Sequence, residues 1–341
     1  MHFKKTFVKY LLAFSILLLL VNVTIDYLKK HKKNDKDPVH ELTTTQIDSV
    51  FLNVLYQYGI EPEWISIKKI KVADEDSISK QFIVQLPIDL SIPEIIKDVN
   101  KIIVNDITGF VSEEKKMFGT TEIRIYTNEM LKLRATLIPD PNTVRNGNDL
   151  IFIISDAYDL SVSDFNIFLS IPYILSAAIV PGNKTVAQAD SLKKYSKEYV
   201  VLINDEMTDT KFRLEKGDQK ELLRNSINNI VANFKEACLF TIDEKSSVYN
   251  STIYNFISDE FKKRGIKLIP LFEFITPTAD EDKELISKFR FYCEDKSSSK
   301  QKIFFLSFEN FQKVRNELEK FRKKGSNIIA LSQTILIKEL K

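Results

Sequence analysis

Histidine is almost missing from this 341-residue chain: the three present are His2, His31 and His40, so residues 41 to 341 carry no imidazole. Chemistry that relies on imidazole as base or metal ligand is thereby excluded from the body. Glycine is scarce too, with eight residues of which the closest two, Gly109 and Gly119, stand ten positions apart. No phosphate-cradling loop of the P-loop or dinucleotide type can be built from that spacing. Two cysteines, Cys238 and Cys293, are too few for a zinc site or a disulfide framework. An excess of one charge is also lacking, since 49 basic residues meet 47 acidic ones. Eight of the lysines precede residue 37, so from residue 38 onward 41 bases face 44 acids. That balance gives no electrostatic footprint for nucleic acid, and no nucleic-acid partner is expected.

What is present is an ordinary globular composition, 44% hydrophobic and 28% charged, which argues against long disorder and is long enough for about two domains. The N-terminus differs from the rest. Tyr10 to Ile25 is nearly unbroken apolar sequence, interrupted by Ser15, Asn22 and Thr24 and preceded by Lys4, Lys5 and Lys9. With its flanks it approaches the ~20 residues needed to span a bilayer. No pair of small residues spaced for cleavage lies between Val21 and Leu28. Residues 1–28 therefore read as an uncleaved signal anchor, a transmembrane helix with the membrane as partner, and residues 29–40 as a charged linker. Three lysines precede the segment and five follow it, which by the positive-inside count favours a cytoplasmic body. Long domains translocate despite such a bias, and the body is read as extracytoplasmic, in the periplasm or at the cell surface.

Residues 41–145 read as a small α+β domain. Ile47, Val50, Phe51, Val54, Leu55 and Tyr58 follow helical spacing, Thr44 or Thr45 can cap the start, and Gly59 stands at the C′ position. Trp64–Val72, Gln81–Leu86, Asp106–Val111, Thr120–Tyr126 and Leu131–Ile138 read as strands, and Pro93 opens a helix running to Val104. An antiparallel sheet with helices on one face accommodates them. Trp64 reads as a packing residue, with a ligand platform as the alternative. Pro, Asn and Gly cluster over residues 139–148 and mark the boundary.

From residue 149 to 341 short apolar runs alternate with amphipathic stretches. Strand candidates are Leu150–Ile154, Ile174–Val180, Tyr199–Ile203, Cys238–Ile242, Lys267–Leu271, Phe289–Cys293, Lys302–Leu306 and Asn327–Leu331. This pattern predicts a parallel α/β sheet, closed as a (β/α) barrel or left open as a doubly wound sheet. Cys238 opening one strand and Cys293 closing another would place two free, buried thiols at opposite barrel ends. In a barrel, function sits at the C-terminal strand ends. Those positions carry Ser155, Asp156 and Asp159; Asn183; Asn204, Asp205 and Glu206; Asp243 and Glu244; Glu273; Glu294 and Asp295; Glu309; and Ser332 with Gln333. A carboxylate ring of this kind can hold Mg²⁺ or Ca²⁺, or supply the acid and base of glycoside hydrolysis. The same residues are also what the start of a following helix prefers as caps.

The order of several segments resembles the divergent polysaccharide deacetylases. They are Leu-Ile-Phe-Ile-Ile-Ser-Asp-Ala-Tyr (150–158), Ile-Pro-Tyr-Ile-Leu-Ser-Ala-Ala-Ile-Val-Pro-Gly-Asn (171–183), Val-Val-Leu-Ile-Asn-Asp-Glu (200–206), Gly-Ile-Lys-Leu-Ile-Pro (265–270) and Gly-Ser-Asn-Ile-Ile-Ala-Leu-Ser (325–332). The resemblance implies a distorted (β/α) barrel in which Asp and His side chains hold a divalent metal whose water attacks an acetamide. Against that pattern, only Asp156 of an Asp-Asp pair remains, with Ser155 in the first place. The family's histidines fall on Ile203 or Asn204, on the segment Ile242, Asp243 and Glu244, and on Ser332.

The expectation is thus a membrane-anchored envelope protein with a catalytically degenerate deacetylase-like barrel, serving as a carbohydrate-related binding or scaffold module with glycan or envelope proteins as partners. The alternative is a carboxylate-dependent hydrolase, deacetylase or glycosidase-like, acting on envelope polysaccharide. The candidate pocket is Asp156, Asn204, Glu206, Asp243, Glu244, Glu273 and Ser332. No zinc or other cofactor is expected, with Mg²⁺ or Ca²⁺ left open.

Overall fold

A computed structural model describes residues 42–70, 78–103, 108–117, 119–295, 299–334 and 336. The anchor over 1–28 and the linker over 29–40 lie outside the described residues, as do the three histidines. Among the described residues no helix is long and apolar enough to cross a membrane. The chain divides into two compact units, one holding the described residues up to Leu55 with Pro62–Thr143, the other Tyr56–Glu61 with Val144 onward.

In the first unit, α1 (Thr44–Gln57) buries Ile47, Phe51, Val54 and Leu55 at the spacing read from the sequence. Its cap is Thr43, not Thr44 or Thr45. The Thr43 hydroxyl accepts the Gln46 N–H at 3.3 Å, and the Gln46 side chain accepts the Thr43 N–H at 2.9 Å, a reciprocal pair at the helix start. Five strands follow, with α2 (Ile92–Ile103) between the second and third: β1 (Ile65–Lys69), β2 (Lys80–Pro87), β3 (Thr108–Glu114), β4 (Thr121–Thr127) and β5 (Met130–Asp140). Their order is β1-β2-β5-β4-β3. The sheet is mixed rather than antiparallel, because β5 runs parallel to β2 while the other pairs are antiparallel. The physical cause is the α2 crossover, which sets β3 parallel to β2; two reversals follow, the second through the tight β4–β5 turn whose Asn128 and Glu129 have positive φ (49° and 64°), and β5 is laid between β4 and β2 in the direction of β2. Phe82, Val84 and Leu86 alternate to the buried face, and the Phe51 ring of α1 lies 5.7 Å from that of Phe82. Trp64 ends a single 3₁₀ turn and is half-buried.

The second unit is a parallel β/α structure. Its strands are β6 (Asp149–Ile154), β7 (Ser176–Ile179), β8 (Glu198–Ile203), β9 (Phe240–Ile242), β10 (Leu268–Pro270), β11 (Gln301–Leu306) and β12 (Asn327–Ile328). The intervening helices are α3 (Val162–Ser170), α4 (Asn183–Lys194), α5 (Lys220–Asn233), α6 (Tyr254–Lys262), α7 (Asp282–Glu294) and α8 (Phe308–Lys323). Among the described residues seven strands form, not eight. Phe289–Cys293 belongs to α7, where Leu285, Phe289 and Cys293 recur every fourth residue on one buried face. Cys238 in turn precedes β9 instead of opening it, so the two cysteines do not mark the strand ends expected for them; both are free thiols, Cys293 buried and Cys238 half-buried.

In the order β10-β9-β8-β7-β6-β11, β7 to β10 follow one another on one side of β6 and β11 lies on the other, and the sheet curls into a half-barrel. The two ends of the curled sheet are brought together by one chain segment. After pairing with β9, β10 passes through a 3₁₀ turn at Leu271–Glu273, and Ile275 then bridges to Phe304 of β11, with Ile275 N–H donating to Ile303 O at 2.8 Å and Phe305 N–H to Ile275 O at 2.9 Å. On its other edge β6 is shared end to end, β12 pairing with Asp149 and Leu150 and β7 with Ile153 and Ile154. These two features leave the sheet a curled half-barrel. Leu150 to Ile154 are all buried, as a strand covered on both faces requires. Phe152 stacks on Phe304 at 5.4 Å and meets Phe311 of α8 edge-on at 5.3 Å, which locks the outer helix to the ring.

Candidate functional site

The C-terminal ends of β6, β8 and β9 deliver most of the candidate residues to one end of the barrel, and each local geometry has an identifiable cause. Two residues past β6, the Asp156 carboxylate accepts the N–H of Phe308, the first residue of α8, at 2.8 Å. Ser307 accepts the Asn310 N–H at 3.2 Å, so this helix start is satisfied from two sides. Past β8, the Asn204 side chain accepts the Glu206 N–H at 3.1 Å and shapes the turn. The neighbouring Asp205 reaches the loop after β9, accepting from the Ser247 N–H at 2.9 Å and from its hydroxyl at 2.8 Å. Past β9, Asp243 accepts the Lys245 N–H at 2.8 Å. Glu244 beside it is half-buried, and its Oε2 is enclosed without a hydrogen-bond partner.

Glu206 is exposed and accepts the hydroxyl of Tyr158, tying the β8 loop to the β6 loop. Burial first, then the adjacent Glu206 carboxylate, push the Tyr158 phenol well above its usual value, so it stays protonated and serves as the donor. These two residues line a shallow cleft of about 190 Å³ with Asp159, Pro181, Gly182, Lys184 and Asp209. Asp209 is itself committed to backbone, accepting Asn183 N–H at 3.2 Å and Lys211 N–H at 3.1 Å. The volume is below the ~300 Å³ at which ligand pockets begin, and admits one small group or the edge of a ring.

Ser332, Glu294 and Asp295 depart from the expected mouth. Ser332 lies at the beginning of β8, where its N–H and hydroxyl both donate to the Glu198 carboxylate, the former at 3.1 Å. The reason is that β12 pairs over two residues at the start of β6 and then turns off in a 3₁₀ turn at Leu331–Gln333, so Ser332 never reaches the C-terminal end. Glu294 and Asp295 end α7, with Asp295 3.4 Å from Lys302 near the start of β11, and so belong to the opposite end. Glu309 lies in the first turn of α8, paired with Lys313 at 2.7 Å. Glu273 is exposed in the closing 3₁₀ turn. The residues added by the structure are Tyr158, Lys184 and Asp209. Asp-Ala-Tyr stood in a motif, but nothing in its spacing announces a partner 48 positions away.

The donor set does not fit the metal that the resemblance implies. Among the described residues no group of three or more His, Cys, Asp or Glu side chains is placed to hold an ion. Asp156 is turned onto the α8 N-terminus, and of the residues that the resemblance would set in the places of the family's histidines, Ile203 or Asn204, Ile242, Asp243 and Glu244, and Ser332, the last lies at the opposite end. No hydrolytic step is derived through a metal.

No protein-family model matches the chain, and none of the curated proteins matches it. Solved structures that overlap it include an uncharacterized protein of Agrobacterium tumefaciens C58, with TM-score 0.39 and 11% identity over 57% of this chain and 91% of that one. A CE4 family pseudoenzyme from Bacillus anthracis overlaps with TM-score 0.38 and 8% identity over 63% of this chain and 83% of that one. A mutant of that pseudoenzyme with restored enzymatic activity overlaps with TM-score 0.38 and 9% identity, covering 63% and 86%. These overlaps span 57–63% of the chain.

Proposed function

We propose that this chain is a membrane-anchored cell-envelope protein whose deacetylase-like barrel binds or scaffolds glycan without hydrolysing it. The observation that carries the reading is the fate of Asp156. It is the one acid left from the motif pair, and its Oδ1 is spent on the Phe308 N–H. A carboxylate held as a helix cap already has its charge engaged by backbone, and is poorly placed to exchange protons with a substrate. Asn204, Asp205 and Asp243 are likewise used to shape loops. The anchor supports envelope residence through its apolar run, and glycan or envelope proteins are the partners the reading implies. What is left open to solvent is the cleft, where the Tyr158 ring, Lys184 and exposed Glu206 offer an aromatic edge with polar groups, the mixture that sugar hydroxyls require.

The test is a direct one. Full-length protein in detergent micelles is titrated with acetylated and deacetylated amino-sugar oligomers by calorimetry, while acetate and reducing ends are assayed with and without Zn²⁺, Mg²⁺ and Ca²⁺. Binding that is weakened by Glu206→Ala, unaffected by chelator and unaccompanied by product is the expected result. Release of acetate or a new reducing end that disappears in Asp156→Asn would establish the carboxylate-dependent hydrolase instead.

A further inference from the structure

At the end of the barrel opposite the mouth, the segments leading into β9 and β10 enclose a recess of about 290 Å³, near the ~300 Å³ at which ligand pockets begin. Phe240 and Ile266 belong to its apolar wall, its charged residues are Lys235, Arg264 and Lys267, and no Asp or Glu lines it. Two neighbouring acids, Glu260 and Glu236, do not balance that charge. Arg264 reaches Glu260 at 3.0 Å, but the same carboxylate is shared with Arg224 at 3.3 Å and Lys263 at 2.8 Å, so three cations meet one anion. Glu236 feels the charge of Lys235, yet it accepts its hydrogen bond from Lys193 at 2.8 Å. Among the described residues neither the Lys235 nor the Lys267 ammonium has an ion-pair partner. Nor are these cations needed to finish a helix. The Gly265 N–H donates to Lys262 O at 2.9 Å and the Ile266 N–H to Phe261 O at 3.0 Å, with Gly265 at φ 74°, so α6 satisfies these last carbonyls from its own backbone.

We infer that this recess binds a phosphate-type oxyanion, the dianion of phosphate itself or of a phosphate monoester. This goes beyond glycan binding and does not depend on it, because the mouth lies past the other ends of the same strands. A cleft lined by charge of one sign with apolar walls focuses its field and concentrates counter-ions inside it. Lys235 comes from the segment before β9, and Arg264 and Lys267 from the segment before β10, so three cationic side chains line one small volume. A compact anion fits that volume, and one with two charges answers a surplus greater than one. The guanidinium is already fixed, with Nε donating to Asn228 Oδ1 at 2.8 Å and a terminal nitrogen to Glu260 at 3.0 Å, so little freedom is lost when it meets a ligand. The two lysines are compact charges on flexible stems and adjust to the remaining oxygens.

Cys238 lines the same recess and reports its occupancy. Full-length protein in detergent micelles is labelled with N-ethylmaleimide at constant pH and ionic strength while inorganic phosphate replaces chloride, and phosphate binding is titrated in parallel by calorimetry. Phosphate at about ten times its dissociation constant is expected to slow labelling of Cys238 about tenfold, since roughly one site in ten then stays empty. Lys235→Gln combined with Lys267→Gln, both at exposed positions, is expected to abolish the protection and the heat of binding, whereas Lys267→Arg keeps both. Glycerol phosphate in solution and phosphatidic acid added to the micelles then tell a soluble ester from a lipid headgroup, the stronger protector being the source. Absence of both protection and binding heat overturns the proposal, and so does protection or heat that persists in the folded double variant, which would be a general effect of the salt. Should the double variant fail to fold, the two single variants take its place, and should Cys238 react too slowly to follow, the calorimetric comparison decides alone.

Discussion

The carboxylate of Asp156 and the backbone N–H of Phe308 lie 2.8 Å apart, joining the turn after β6 to the first residue of α8 across 152 positions of sequence. This single bond gives Asp156 a structural role and docks α8, the longest helix among the described residues. Asp156→Ala is expected to cost about 1 kcal/mol, the usual loss for removing a helix-start acceptor, while Asp156→Asn retains an acceptor oxygen and costs less than half of that. Urea unfolding midpoints at constant slope measure both. An alanine variant as stable as the wild type would show that the bond is incidental.

Tyr158 and Glu206 should behave as one unit. Replacing Tyr158 by Phe and Glu206 by Gln singly breaks the same hydrogen bond, so the double variant should lose less than the sum of the two. Because Glu206 is exposed and water competes for it, the coupling belongs at the low end of the range for such bonds, about 0.5–1 kcal/mol. A thermodynamic cycle on unfolding free energies gives the number; strict additivity would mean that the phenol and the carboxylate do not meet in solution.

Much of this fold is legible in the sequence because its signals are periodic. Ile47, Phe51, Val54 and Leu55 repeat at helical spacing and are buried together, and Leu150 to Ile154 form a continuous apolar run that only a strand covered on both faces explains. The failures come where periodicity is ambiguous or absent. Phe289 to Cys293 is rich in aromatics and reads locally as a strand, yet the wider window places Leu285, Phe289 and Cys293 on one helical face. Closure by Ile275 rests on one bridged residue, which leaves no pattern at all. A β12 of full strand length would carry Ser332 to the mouth, whereas its ladder covers two residues. The Tyr158–Glu206 contact joins two loops, and no spacing rule encodes it.

The most strongly perturbed carboxylate is not at the mouth. Glu260, on the buried side of α6, has Lys263 at 2.8 Å, Arg264 at 3.0 Å and Arg224 at 3.3 Å, and these cations hold its carboxyl at about 2 against an ordinary 4.5. Below the ordinary value the unfolded chain takes up a proton that the folded chain refuses, so stability falls as acid is added. The contribution is complete above about pH 4.5 and is lost as pH descends toward about 2. Glu260→Gln is therefore expected to be clearly destabilised at neutral pH, with its deficit relative to wild type narrowing through that window. Thermal midpoints of both proteins at closely spaced pH values report the difference, and a deficit independent of pH would assign the effect to packing instead.

The two thiols should separate by reactivity. Cys293, in the last turn of α7 and 4% exposed, has its thiol pushed up by burial first and then by the neighbouring Glu294 carboxylate, so its nucleophilic thiolate is scarce. Cys238 precedes β9 and is half-buried, lining a recess of about 290 Å³ that also holds Lys235 and Lys267. In the folded protein a small maleimide should modify Cys238 at a measurable rate and reach Cys293 only through opening of α7, so that urea below the unfolding midpoint accelerates the second reaction far more than the first. Peptide mass analysis after timed labelling follows each site. Equal rates at the two cysteines in the native protein would place Cys293 at the surface and contradict its position on the buried face of α7, and a linked Cys238–Cys293 peptide under non-reducing conditions would contradict the fold of the barrel itself.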